Sequence, residues 1–216
     1  MQYLPRLGFT FILALVSSIP FGSNALAQQP ERIGSVTALQ GKATVIHTGS
    51  TQSEPLALQS PLYPVDLIQT EAASKIKLTF IDETVLTLGE KSKLLITSFV
   101  YAPKQNAHMA FFTIPQGVFR AIAQKILPQS RFEVATTNAV AALRGTEWLG
   151  EVKLDSTAIV VLEGKVSVSH AGTDIPGEVV LTEGMGTDVD RWHPPTAPKR
   201  WGKARLDALR NATMLP

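Results

Sequence analysis

The stretch FEVATTNAVAALRGTEW, residues 132–148, decides how the rest of the chain is read. It holds two short apolar segments, 132–135 and 139–143, parted by the polar corner Thr136-Thr137-Asn138. The second segment stops at Arg144-Gly145-Thr146 and resumes as Glu147-Trp148-Leu149. Glycine takes positive φ without a steric cost, so Gly145 predicts a bend or bulge between strands. A guanidinium beside such a bend needs a definite partner. Arg144 either ties one strand to its neighbour, with Glu133 or Glu147 as partner, or it faces an anionic ligand. The structural alternative is favoured because most ion pairs are structural.

Outward from this stretch the same grammar repeats. Residues 75–80, KIKLTF, put Ile76, Leu78 and Phe80 on one face and Lys75, Lys77 and Thr79 on the other, the period of a half-buried strand. Asp82-Glu83 turns the chain and 84–88 returns, which predicts a hairpin, although glycine would suit the position of Glu83 better. Further strands are expected at 33–39, 42–47, 65–70, 93–97, 110–114, 156–162, 165–169 and 179–182, with 117–122 read as strand or short helix. Short strands, β-branched residues and frequent turn signals predict one all-β domain, a sandwich or a solenoid-like hairpin stack.

An internal echo supports this. Leu39, Gly41, Lys42, Val45 and His47 line up with Leu162, Gly164, Lys165, Val168 and His170, and a weaker copy surrounds Gly117. Each copy is a strand, a glycine bend and a second strand, which suggests repeated hairpins or solenoid-like corners.

The ends differ in kind. Arg6, an apolar run over 7–19, a break at Pro20 and Gly22, and Ala25-Leu26-Ala27 form an export signal, residues 1–27, with cleavage expected before Gln28. The run is short for a membrane span, so a mature protein without a transmembrane anchor is expected in the periplasm or secreted. The β domain is expected over 33–190, followed by a Pro-rich linker and basic amphipathic helix over 191–216. Pro194, Pro195 and Pro198 mark the linker, and Thr196 is the expected N-cap of a helix over 199–212. Trp201, Ala204, Ala208 and Leu209 would share its inner face. Arg191, Lys199, Arg200, Lys203, Arg205 and Arg210 stand against Asp207 alone, so the tail reads as a detachable basic element.

Chemistry is sparse. The chain has no Cys, which excludes disulfides, thiolate metal sites, Cys nucleophiles and a lipid anchor on cysteine. His47, His108, His170 and His193 show no metal-ligand spacing; His47 and His170 end equivalent strands and could approach each other. There is no HExxH or GxSxG, and Gly34, Gly41 and Lys42 have the wrong spacing for a phosphate loop. Asp82-Glu83 reads as a solvated turn. A net charge of +2 and three Trp give no basic aromatic stripe for nucleic acid. The expectation is a protein that is not an enzyme, with no cofactor and no metal.

Taken in order, these residues resemble the FecR family domain over roughly 33–186. The pattern includes Gly34 and Val36, Asp66-x-Ile68-x-Thr70, Ile76-x-Leu78-x-Phe80-x-Asp82, Leu86-x-Leu88 and Ser92-x-Leu94-x-Ile96. It continues through Gly117-Val118 and Phe132-x-Val134-x-Thr136, then 139–143 followed by Arg144-Gly145-Thr146, and Val161-x-Glu163-Gly164-x-Val166-x-Val168. The chain departs from it at Val65-Asp66, where the family has Gly-Asp, at Asp82-Glu83, where it has Asp-Gly, and at Thr136-Thr137, where it has Thr-Pro. The resemblance implies a free-standing exported FecR-like module, without the cytoplasmic anti-sigma segment or membrane helix. It implies a non-enzymatic β module that works through a protein partner in envelope signalling or assembly. A carbohydrate- or peptidoglycan-binding envelope protein is the alternative. The motif residues Asp82, Thr136, Arg144, Gly145, Thr146, Glu163 and Gly164 are read as structural, and the binding residues are left open.

Overall fold

The computed structural model describes residues 31–105, 107–123, 130–143 and 145–215. The export signal, Arg144 and residues 124–129 therefore lie outside the described residues. The chain begins with β1 (Gly34–Gln40), β2 (Ala43–Ile46), β3 (Glu54–Pro55), β4 (Pro61–Leu62), β5 (Leu67–Thr70) and β6 (Lys75–Phe80). It goes on through β7 (Val85–Leu88), β8 (Lys93–Ala102), β9 (Ala107–Ala123), β10 (Arg131–Thr136), β11 (Ala139–Leu143) and β12 (Thr146–Val152). It ends with β13 (Ser156–Glu163), β14 (Lys165–His170), β15 (Glu178–Thr182), β16 (Met185–Asp190), β17 (Lys199–Arg200) and a helix, α1 (Lys203–Thr213). The fold is all-β with one short C-terminal helix, as expected.

Hydrogen bonding links every strand into one open sheet, and β9 folds that sheet into two layers. Its first half pairs with β8 and β10, and its second half pairs with β7 and β12. The first layer runs β4-β1-β6-β7-β9-β12-β13-β16-β17. The second runs β3-β2-β5-β8-β9-β10-β11-β14-β15. Period-two burial along β6 sends Ile76, Leu78 and Phe80 inward. Phe80 meets Phe112 of the other layer at 5.1 Å between ring centroids, and Phe99 at 5.4 Å. Stretch 117–122 is thus strand, not helix: it completes β9, and Phe119 and Ala121 are fully buried.

The sequence echo marks where the chain changes layer. Gly41 joins β1 to β2, Gly117 divides β9, and Gly164 joins β13 to β14, with φ of 74°, 108° and 89°. The paired strands are not hairpins: β1 bonds to β6 and β2 to β5. They are corners, and they stack on hydroxyl-bearing neighbours. Ser74 Oγ accepts the Lys42 N–H (2.9 Å), Ser92 Oγ accepts the Val118 N–H (3.1 Å), and Thr146 Oγ1 donates to the Lys165 carbonyl (2.9 Å).

The tail is docked. Leu206 and Leu209 of α1 pack with Trp201 on Val118, Leu149, Val160 and Leu162, on the outer face of the first layer. Burying such a leucine contributes roughly 1.5–3 kcal/mol. Lys75 Nζ donates to the Asn211 and Met214 carbonyls (2.7 and 3.0 Å), which satisfies the helix C-terminus. Arg205 lies 3.6 Å from the Trp201 ring centroid and binds Asp188. Two details of the sequence reading change. The helix starts at Lys203 after Gly202, because Thr196 is already engaged: its Oγ1 accepts the Asp188 N–H (3.0 Å). The inner face is Leu206, Leu209 and Thr213, while Ala204 and Ala208 are exposed.

Candidate functional site

Most of the motif residues are occupied in shaping the backbone. Asp82, buried between β6 and β7, accepts the Thr84 N–H (2.9 Å) and hydroxyl (2.8 Å) and contacts His108 Nε2 at 2.7 Å. It is therefore buried and triply engaged, not a solvated turn residue, and it joins the two layers. Thr136 Oγ1 accepts the Ala139 N–H (2.9 Å) and sits 2.8 Å from Thr157 Oγ1 across the layers. Gly145 has φ of 57°, the bend expected of it, and the Gly164 Cα faces its carbonyl so closely that a Cβ would sit 2.6 Å away. Glu163 is exposed at the end of β13, in register with Glu147. The two carboxylates expected to pair with Arg144 each hold another guanidinium. Arg120 bonds Glu147 at 2.5 and 3.0 Å, and Arg131 bonds Glu133 at 2.9 Å.

The histidines are each engaged separately. His47 Nδ1 lies 2.7 Å from Asp66 Oδ1. His170 Nδ1 accepts the Gly172 N–H (2.9 Å), so Nε2 carries the proton and donates to the Asp190 carbonyl (3.2 Å). His47 and His170 do not meet. Among the described residues no group of three His, Cys, Asp or Glu side chains could hold a metal ion.

What sequence reasoning missed is a cleft of about 480 Å³, assembled from four turns. Its wall comes from Asn138 between β10 and β11, Leu154 between β12 and β13, Asp174 between β14 and β15, and Arg191 with Trp192 after β16. Asp190 builds the last of these. Its carboxylate accepts the backbone N–H of Trp192 (2.7 Å) and of His193 (2.9 Å), and the Trp192 bond first holds its pKa below the usual carboxylate range. The turn thereby presents Trp192 to solvent at 71% exposure, beside Leu154 at 76%. The Arg191 guanidinium lies 5.2 Å from the Trp192 ring centroid. The signal available in sequence was the Asp190-Arg-Trp-His193 run, an Asp that caps a turn carrying an aromatic.

Residues 66–167, from the turn before β5 into β14, match the family model described as FecR protein. The chain contains a FecR domain. Two crystal structures of a protein described as a "putative anti-sigma factor" from Parabacteroides distasonis ATCC 8503 share its fold. Each superposes with a TM-score of 0.54 at 16% identity, over 66% of this chain. The chain spans 63% and 62% of those chains, less than two thirds of their length. No curated protein matches the chain. The FecR segment includes Asp82, the Thr136 corner and Gly164, whereas the Trp192 turn and α1 lie beyond it.

Proposed function

We propose that the chain is a non-enzymatic FecR-type module of the cell envelope, exported with cleavage near Ala27, that acts in signalling by docking a protein partner. The observation that carries this reading is the contrast between its two outer faces. The first layer is covered by α1. The second has no such cover among the described residues, and there Val100 and Met109 sit side by side in register, each 38% exposed. Val180 on the edge strand β15 is 55% exposed. The adjacent pair Val100 and Met109 is the apolar patch on this face to which a protein partner would dock. The motif residues of the FecR segment supply turns and layer crossings, which is a scaffold's use of them.

The test is capture from an envelope extract with the intact mature chain and with a Val100→Asp/Met109→Asp variant. The wild type should retain a specific protein, and the variant should lose it by about tenfold or more. Equal capture by both would overturn the assignment of the second layer as the docking face. Intact mass of the exported protein should begin at Gln28.

A further inference from the structure

The cleft beside Trp192 joins turns inside the FecR segment, at Asn138 and Leu154, to turns beyond it, at Asp174 and Arg191-Trp192, and it is built differently from the sheet face assigned to a protein partner. Its polar groups divide into those already satisfied and those held open. His170 is spent on Gly172 and Asp190, and Thr137 Oγ1 donates to the Pro115 carbonyl (2.8 Å). The Asp174 carboxylate, by contrast, accepts no hydrogen bond from the described residues. The Arg191 guanidinium lies against Trp192, and its carboxylate neighbour among the described residues, Asp155, is 3.8 Å away, too far for a hydrogen bond. Asn138 is 2% exposed, lines the cleft, and its Nδ2 has no acceptor. A buried donor left unmet costs roughly 1–3 kcal/mol, so natural structures keep few of them without a reason.

These open groups define a ligand. A free acceptor and free donors line the same cleft, so the ligand must offer both. A simple anion fails this, because Asp174 would repel it. A peptide that binds by strand addition fails as well, because it needs an unpaired strand edge, whereas this cleft is walled by turns. The remaining feature is an indole that stands largely in solvent, 71% exposed, with Arg191 on one side. An indole face is electron-rich and attracts the polarised C–H groups of a ring laid on it. A pyranose presents such C–H groups on one face and hydroxyls, each donor and acceptor, around its rim. The volume of about 480 Å³ falls in the range of small-ligand sites.

We propose that this cleft is a glycan-binding site taking roughly one or two neutral pyranose rings. One ring lies on Trp192, and its hydroxyls bond to Asp174 and Arg191. Asn138 supplies a further donor at the floor once a hydroxyl reaches it. Such a site would tether the module to envelope polysaccharide while the second layer remains open to its protein partner.

The test uses the full mature chain with cellobiose, N,N′-diacetylchitobiose and purified peptidoglycan as probes. Binding is followed by isothermal titration calorimetry for the disaccharides, so that the readout does not depend on Trp192, and by co-sedimentation for the polymer. At least one probe should bind saturably, with a Kd on the order of millimolar for a disaccharide. Trp192→Ala should weaken it by about tenfold or more, and Asp174→Asn should weaken it too. Leu58→Ala, exposed elsewhere at 63%, should leave it unchanged. Thermal unfolding of each variant separates lost binding from lost fold, and Asp174→Asn stands in if Trp192→Ala is unstable. Failure of all three probes, or binding that survives Trp192→Ala, overturns the proposal. If the probes fail while Trp192→Ala abolishes protein capture, the cleft is part of the protein interface. The glycan assignment then falls while the protein-partner reading stands.

Discussion

Two kinds of left-handed residue turn this chain, and they differ in what surrounds them. At Gly117 a Cβ would lie 2.1 Å from Ser92 Oγ and 2.4 Å from Ser92 Cα; at Gly41 it would lie 2.4 Å from Ser74 Oγ. These corners are pressed against a neighbouring corner, so they exclude a side chain twice over, by φ and by space. Val65, Ala73, Glu83 and Lys91 also have positive φ, from 50° to 66°, yet all four are exposed. There the backbone conformation is strained for an L-residue, but the side chain has somewhere to go. The packed corners hold the two layers together, while the exposed turns only close loops. A sequence can therefore drift at the second kind and not at the first.

The comparison is broken most directly at Gly117. Gly117→Ala must meet the left-handed strain of about 1–2 kcal/mol and a backbone clash with Ser92 worth about 1–3 kcal/mol, so a loss near 3 kcal/mol or more is expected. The measurement is the urea midpoint at unchanged m-value. Gly49 is the control: its φ is +78°, but an added Cβ meets nothing within 4 Å. Gly49→Ala should therefore cost only the conformational part, about 1 kcal/mol. Equal losses at the two sites would show that packing at the corner contributes nothing.

These corners were legible because glycine between two short apolar runs has few other uses, and because the same pattern recurs around Gly41, Gly117 and Gly164. The strand pair 75–88 was legible from its alternation alone. Other features stayed hidden for physical reasons. The buried role of Asp82 depends on His108, which arrives from the other layer. The start of α1 was misplaced because Thr196 looks like a cap in sequence but spends its hydroxyl on β16. The Trp192 cleft could not be read because its walls come from turns scattered over the C-terminal half, each ordinary by itself. Arg144, on which the sequence argument leaned most, lies outside the described residues, and its expected partners Glu133 and Glu147 hold Arg131 and Arg120.

The exposed class sharpens the comparison from the other side. Val65 stands where the family has glycine, and its φ is 65°. A β-branched residue is the least tolerant of that region. Val65→Gly should remove about 1–2 kcal/mol of strain and add about 0.5–1 kcal/mol of chain entropy cost, for a net gain near 1 kcal/mol. Such gains are unusual for a core-neutral substitution, so a raised urea midpoint would be informative. A lowered midpoint would mean that the Val65 side chain, though 47% exposed, contributes contacts that outweigh its strain.

Glu83 is the mildest case and the sharpest discriminator. Its φ is 66°, almost that of Val65, and it too replaces a family glycine. Its turn is held independently, because Asp82 bonds the Thr84 N–H and hydroxyl while the Glu83 N–H donates to the Phe80 carbonyl at 3.0 Å. Glutamate also lacks the second γ substituent that makes valine rigid at χ1. The strain relieved by Glu83→Gly is thus at the low end, and the added freedom of glycine in the unfolded chain offsets most of it, leaving a gain of about 0.5 kcal/mol or less. If Glu83→Gly stabilises as much as Val65→Gly, β-branching is not what separates them and φ alone sets the cost. If it destabilises, the Glu83 side chain contributes something that its exposed position does not reveal, and the division between packed corners and free turns has to be redrawn at this hairpin.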